Sequence, residues 1–155
     1  MKITDFLTPE MIAPSLKGQT KPEVLQELAG CLTREHPEIP LAEMSTVLAE
    51  RERLGSTAIG DGIAIPHGKL AKCGRIFGVF GRLERPIDFD ALDGLPVDLT
   101  FLLIAPENAG ADHLKALALI SRALRSPGLA AKLRATRDAS AIFSLLTLTP
   151  TSHAA

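Results

Sequence analysis

The sequence predicts a single α/β domain in which a small mixed β-sheet carries helices on both faces. Three observations lead there. The chain has 155 residues, enough for one domain with a sizeable core. Its expected elements run helices, then strands, then helices, an order that a sheet covered on both faces accommodates. The strongest strand, Val97 to Ala105, is almost continuously apolar, as a central strand buried on both sides should be.

The elements follow in order. The first dozen residues, with Phe6, Leu7, Met11 and Ile12, are expected to be ordered. Thr20-Lys21-Pro22-Glu23 reads as a helix start, with Thr20 as the cap, Pro22 in the first turn and Glu23 completing a capping box. Val24, Leu25, Leu28, Cys31 and Leu32 then recur at helical spacing. His36-Pro37 ends that helix, because a residue before proline disfavours the α region. A second helix spans Leu41 to Leu54 and stops at Gly55. Gly55 to Gly62 reads as a glycine-rich loop. Ile63-Ala64-Ile65 is a short strand, broken by Pro66-His67-Gly68.

Arg75 to Leu83 reads as a strand, Asp93-Gly94 as a turn, and Pro106 to Gly110 as a loop. A helix is expected over Ala111 to Leu124, with Leu114, Leu117, Ala118 and Ser121 on one face. Two short helices follow, near Gly128 to Ala135 and Ala139 to Leu146, the last capped by Asp138. Residues 1–148 are expected to form the domain and 149–155 a flexible C-terminal tail.

Composition narrows the function. Aromatics are 4% of the chain, with no Trp and no Tyr, so the core is aliphatic and stacking platforms for single-stranded nucleic acid are scarce. Lys plus Arg is 17 against 18 Asp plus Glu, which is not the basic footprint of a nucleic-acid binder. Most of a modest basic group, Lys115, Arg122, Arg125, Lys132, Arg134 and Arg137, is assigned to a solvated helix face. Cys31 and Cys73 lie far apart and form no metal or redox spacing, so each is read as a free thiol, with Cys31 buried. The N-terminal residues lack a signal-peptide profile, and the longest apolar run is too short for a bilayer. A cytoplasmic setting without membrane insertion is the expectation, and neither a cofactor nor a metal is called for.

The informative segment is Arg51 to Lys69, RERLGSTAIGDGIAIPHGK. It offers one imidazole after a strand end, the hydroxyls of Ser56 and Thr57, backbone amides freed by glycine, and a cation upstream. Glycine-rich turns form concavities of N–H groups that bind anions, and a neutral histidine is an available nucleophile near neutral pH. A partner for the other ring nitrogen would fix the tautomer, and the main chain just after Gly68 is a local candidate. Residue types and spacing alone leave His67 open between this role and that of a satisfied histidine at a strand end. The loop fits neither a Walker A motif nor a dinucleotide fingerprint. His113 opens the helix after the central strand, where a helix N-terminus favours an anion. On its own it reads as a surface residue. A zinc site on His67 and His113 lacks a third ligand.

GSTAIGDGIAIPHGK resembles the signature of the fructose/mannitol-type IIA domains of the bacterial phosphotransferase system. The resemblance continues through Pro86 to Val97, similar to the family's "PI-F-A-DG-PV" stretch, and through Leu102 to Pro106 into His113-Leu114 and Leu117. It covers nearly the whole chain. It implies that His67 is the phosphoryl acceptor and His113 a second active-site histidine. Arg51 would support the phosphate, with Arg53 as a nearby rival, and Ser56 and Thr57, beside the site, would bind the phosphate as well. Ala58 stands where nitrogen-type members commonly have glycine, which would be costly if that position required positive φ.

The wording of the signature is most like the nitrogen-regulatory IIA branch. That branch implies a phosphohistidine carrier rather than a turnover enzyme. The donor would be an HPr-like phosphocarrier protein, and the regulated targets proteins such as transporters or sensor kinases. The alternatives are a sugar-specific IIA that passes the group to a IIB domain, and a regulatory binding module that is not phosphorylated.

Overall fold

The computed structural model describes residues 1–148, so the expected tail at 149–155 lies outside the described residues. Two 3-10 turns, Ile3–Asp5 and Pro9–Met11, lead into strand β1 (Ile12–Leu16). Helices α1 (Lys21–Glu35) and α2 (Leu41–Arg53) follow, then β2 (Ala58–Gly60), β3 (Ile63–Ala64), β4 (His67–Leu70), β5 (Phe77–Ile87) and β6 (Val97–Pro106). Helices α3 (Ala111–Arg125), α4 (Pro127–Ala135) and α5 (Ala139–Leu148) complete the described chain.

The helix ends obey their local chemistry. The Thr20 hydroxyl accepts the Glu23 N–H at 3.3 Å, as a cap should. The returning Glu23 carboxylate takes the N–H of Gln19 rather than that of Thr20, one residue upstream of the expected box. His36 closes α1, with its N–H on the Leu32 carbonyl. Asp138 caps α5 by accepting the Ala141 N–H at 2.9 Å.

The sheet is mixed and open, in the order β1-β5-β6-β3-β2, with β4 also paired to β6. β5 and β6 run antiparallel, whereas β1 lies parallel to β5, and β3 and β4 lie parallel to β6. Consequently β3 and β4 are two parts of one path beside β6, against Leu99–Thr100 and then Leu103–Pro106. Pro66 sits between them. It has no N–H to give, and its carbonyl takes the N–H of Leu103.

Both faces of the central pair are covered. A Cβ added to Gly78 would meet the Phe101 ring at 2.6 Å and Phe6 at 3.1 Å. One added to Gly81 would meet Leu28 of α1 at 2.8 Å, on the opposite face. β6 is accordingly buried along almost its whole length. Leu, Ile and Val fill the core around Phe6, Phe80, Phe89 and Phe101.

Four features differ from the sequence reading. β1 contains Pro14, which argues against a central strand but is tolerated at a sheet edge. β2 lies inside the glycine-rich segment read as loop. His67 starts a strand, β4, instead of breaking one. α3 buries His113, Ala116, Ile120, Ala123 and Leu124, while Leu114 is 67% exposed. The expected face of α3 was therefore rotated, because the apolar Leu114 was counted toward the core and the polar His113 was not.

Candidate functional site

Three elements converge on the imidazole of His67. β4 begins at that residue and is held in register beside Leu103. α2 packs across β4, and the packing needs Gly68: a Cβ there would collide with Val47. Val47 lies one helical turn before Arg51, so this close approach delivers the Arg51 guanidinium to the ring. α3 begins after the loop that leaves β6, and it carries His113 in its first turn. The two imidazole centroids are 5.5 Å apart.

The hydrogen bonds define the state of His67. Its Nδ1 lies 2.8 Å from the Ile65 carbonyl. A carbonyl only accepts, so Nδ1 carries the proton. The Nε2 lone pair is then free to receive the Arg51 Nε–H, at 3.3 Å. Arg51 also donates through Nη1 to the Gly55 carbonyl at 2.9 Å. The tautomer-fixing partner thus precedes His67 by two residues, whereas the sequence reading placed it after Gly68. Burial lowers the His67 pKa below its ordinary 6.5 and the Arg51 charge adds to this, outweighing the Ile65 contact and Glu52. His113 is 8% exposed, and its pKa is lowered by burial, by His67 and by Lys69. Both rings are therefore neutral at neutral pH.

The loop between α2 and β2 is held from below. Ser56 donates to the Phe89 carbonyl and accepts the Ala58 N–H at 3.1 Å. Thr57 is buried, and its hydroxyl donates to the Glu52 carboxylate, which also accepts the Thr57 N–H at 3.2 Å. Both hydroxyl protons thus go to protein acceptors rather than toward His67. Lys21 Nζ contacts Glu52 at 3.1 Å and Asp90 at 3.0 Å, and stands 5.0 Å from the centre of the Phe89 ring. Burial opposes the Lys21 charge, but the bonds to Asp90 and Glu52 outweigh it and raise the pKa.

Of the sequence candidates, His67, His113 and Arg51 are brought together. Arg53 is exposed, and it is Arg51 that reaches the ring. Ser56 and Thr57 shape the adjoining loop. Ala58 has no positive φ, so its departure from glycine carries no backbone cost. Cys31 is buried, as expected. Most of the basic group is exposed, as expected, whereas Arg134 is half-buried and pairs with Asp98. Sequence reasoning missed Glu52, Lys21 and Asp90. A signal existed for Glu52, since an acidic residue in the last turn of a helix opposes the dipole and needs a local partner. Among the described residues, no group of three or more His, Cys, Asp or Glu could hold a metal ion. None of the described helices is long and apolar enough to cross a membrane.

A neutral imidazole aims its lone pair at a guanidinium that, among the described residues, makes no ion pair. Chemically, the arrangement can set an anionic group between a nucleophilic nitrogen and a cation. The family "Phosphoenolpyruvate-dependent sugar phosphotransferase system, EIIA 2" matches residues 5–148. A nitrogen regulatory protein of Bradyrhizobium diazoefficiens is 56% identical over 154 residues, which is 99% of this chain and 100% of that one. A nitrogen regulatory protein of Pseudomonas aeruginosa is 38% identical, covering 94% of this chain and 95% of its own. The crystal structure of nitrogen regulatory protein IIA-Ntr from Neisseria meningitidis superposes with a TM-score of 0.87 at 34% identity, covering 94% of this chain and 99% of that one. The mannitol IIA of Escherichia coli, at 21% identity and a TM-score of 0.76, shares the fold over 90% of this chain and 98% of its own. The chain belongs to the EIIA type 2 family of the phosphotransferase system, and stands with its nitrogen regulatory members.

Proposed function

We propose that this chain is a phosphoryl carrier that takes its group from a phosphohistidine HPr-like donor onto Nε2 of His67 and signals to partner proteins by its phosphorylation state. The observation that carries this reading is the pairing of Nδ1 with the Ile65 carbonyl, which leaves the Nε2 lone pair beside Arg51.

The lone pair attacks phosphorus in line. A P–N bond forms at Nε2 as the P–N bond of the donor breaks, and the donor imidazole leaves with that electron pair. The proton on Nδ1 stays in place, and the Ile65 carbonyl steadies the positive charge that develops on the ring. Such a transfer depends on positioning and charge neutralisation more than on covalent help from the protein. Arg51 supplies the cation. His113, with its ring centroid 5.5 Å from that of His67, holds a phosphoryl oxygen through the N–H of its neutral ring. Ser56 and Thr57 act by shaping the loop. One P–N bond replaces another, so the exchange runs near equilibrium, as a signalling carrier requires.

Exposed apolar side chains are assigned to docking of the donor. Leu54, Leu92 and Leu114 are exposed on the three segments that border the site: the end of α2, the loop between β5 and β6, and the start of α3. The test is to incubate the protein with a phosphorylated HPr-like donor and measure intact mass under neutral conditions. Gain of one phosphoryl group is expected; none with any phosphocarrier, alongside intact partner binding, would favour a regulatory module that is not phosphorylated. Onward transfer to a cysteine of a IIB domain would favour the sugar-transport branch.

A further inference from the structure

We infer that Glu52 is a positioning residue for His67, acting through the backbone of the signature loop with Lys21 as its counter-charge. This role rests on His67 being the phosphoryl acceptor. The side chain of Glu52 is only 7% exposed, yet it carries three contacts: the Thr57 hydroxyl, the Thr57 N–H at 3.2 Å and Lys21 Nζ at 3.1 Å. A buried carboxylate survives only when such partners compensate its lost hydration.

The contacts continue to the reacting ring. Thr57, fixed at both its hydroxyl and its N–H, offers its carbonyl to the Ile65 N–H at 3.0 Å. The carbonyl of Ile65 in turn holds the Nδ1 proton of His67 at 2.8 Å. From Lys21 to the imidazole the path is therefore Lys21, Glu52, Thr57, Ile65, His67, with a hydrogen bond at every step. Neighbouring Arg51 touches the opposite nitrogen of the same ring. Two consecutive residues of one helical turn thus fix the two nitrogens of His67, Arg51 directly and Glu52 through the loop. Lys21 also engages Asp90, which is 75% exposed on the rim of the β5–β6 loop.

The experiment compares the wild type with Glu52→Ala, Glu52→Gln, Thr57→Val and, as a control remote from the site, Arg134→Ala. Long-range nitrogen NMR at neutral pH reads the tautomer of His67, and mass spectrometry reads the initial rate of phosphoryl acceptance from an HPr-like donor. Wild type and Arg134→Ala are expected to hold the proton on Nδ1. Glu52→Ala is expected to populate both tautomers and to accept phosphoryl about tenfold more slowly. Glu52→Gln, which keeps an oxygen for the Thr57 N–H, should recover part of both, and Thr57→Val should show the smaller tautomer change. If Glu52→Ala matches Arg134→Ala in tautomer and rate, the inference is wrong. Should Glu52→Ala fail to fold, wild-type tautomer and rate in both Glu52→Gln and Thr57→Val overturn it equally. The tautomer is read without any donor, so a wild type that accepts no phosphoryl refutes the proposed function and leaves this comparison intact.

Discussion

The two ends of strand β6 use arginine in opposite ways. At the Val97 end, Arg134 of α4 grips the Asp98 carboxylate at 2.9 and 3.0 Å and donates to the Asp61 carbonyl at 2.7 Å. There Gly62 has φ 79°, and any side chain would run into Arg134 and Asp98. The Arg134 charge is matched by the Asp98 carboxylate. Past the other end, Arg51 faces a neutral ring and a carbonyl, and among the described residues it makes no ion pair. A cation with its anion in place is a clamp, whereas under the proposed mechanism Arg51 receives an arriving anion. The first end ties the C-terminal helices to the β2–β3 turn; the second holds Arg51 beside His67.

That contrast can be broken at several points. The largest effect is expected from His67→Ala, which should remove all transferable label in an intact-mass assay while leaving the fold, read by circular dichroism, in place. Arg51→Ala should slow phosphoryl acceptance about a hundredfold, the usual scale for removing one charge-stabilising donor, with little change in thermal midpoint. His113→Ala should weaken acceptance by about tenfold and leave some label, since one supporting group is lost but the nucleophile stays. Arg134→Ala inverts the pattern. It should cost about 1–2 kcal/mol in denaturant unfolding, as for a partly exposed pair with an added hydrogen bond, and leave acceptance at the wild-type rate. Equal losses of activity from Arg134→Ala and Arg51→Ala would erase the distinction between the two ends.

The smallest expected effect is on pH. His67 and His113 have folded-state pKa values below the ordinary 6.5. The unfolded chain therefore binds more protons in mild acid. The stability these rings contribute is fully present above pH 6.5 and is lost as pH falls through their lowered values. Unfolding titrations should show this acid loss, and it should shrink in His67→Ala.

Much of the molecule was legible in the sequence because its signals were local. The caps at Thr20 and Asp138, the stop at His36-Pro37 and the apolar run of β6 each depend on a few neighbouring residues. β1 and β4 were not legible. Pro14 and the Pro66-His67-Gly68 triplet carry breaker chemistry, and only pairing with β5 and β6, far away in sequence, makes them strands. His67, Arg51 and His113 could be named from their segment and its resemblance. Their mutual geometry could not, since it depends on Val47 resting against Gly68 and on a register set by Leu103. The Glu52–Lys21 link joins residues 31 apart in the chain, and no local pattern announces it.

The central claim is that the Ile65 carbonyl holds the proton on Nδ1 and so presents Nε2 of His67 as the acceptor. Nitrogen and phosphorus NMR of the freshly phosphorylated, nitrogen-labelled protein at neutral pH tests it most directly. The account predicts a phosphorus coupled to Nε2 of His67, with the proton still on Nδ1. A phosphoryl group on Nδ1, or on any residue other than His67, would contradict it.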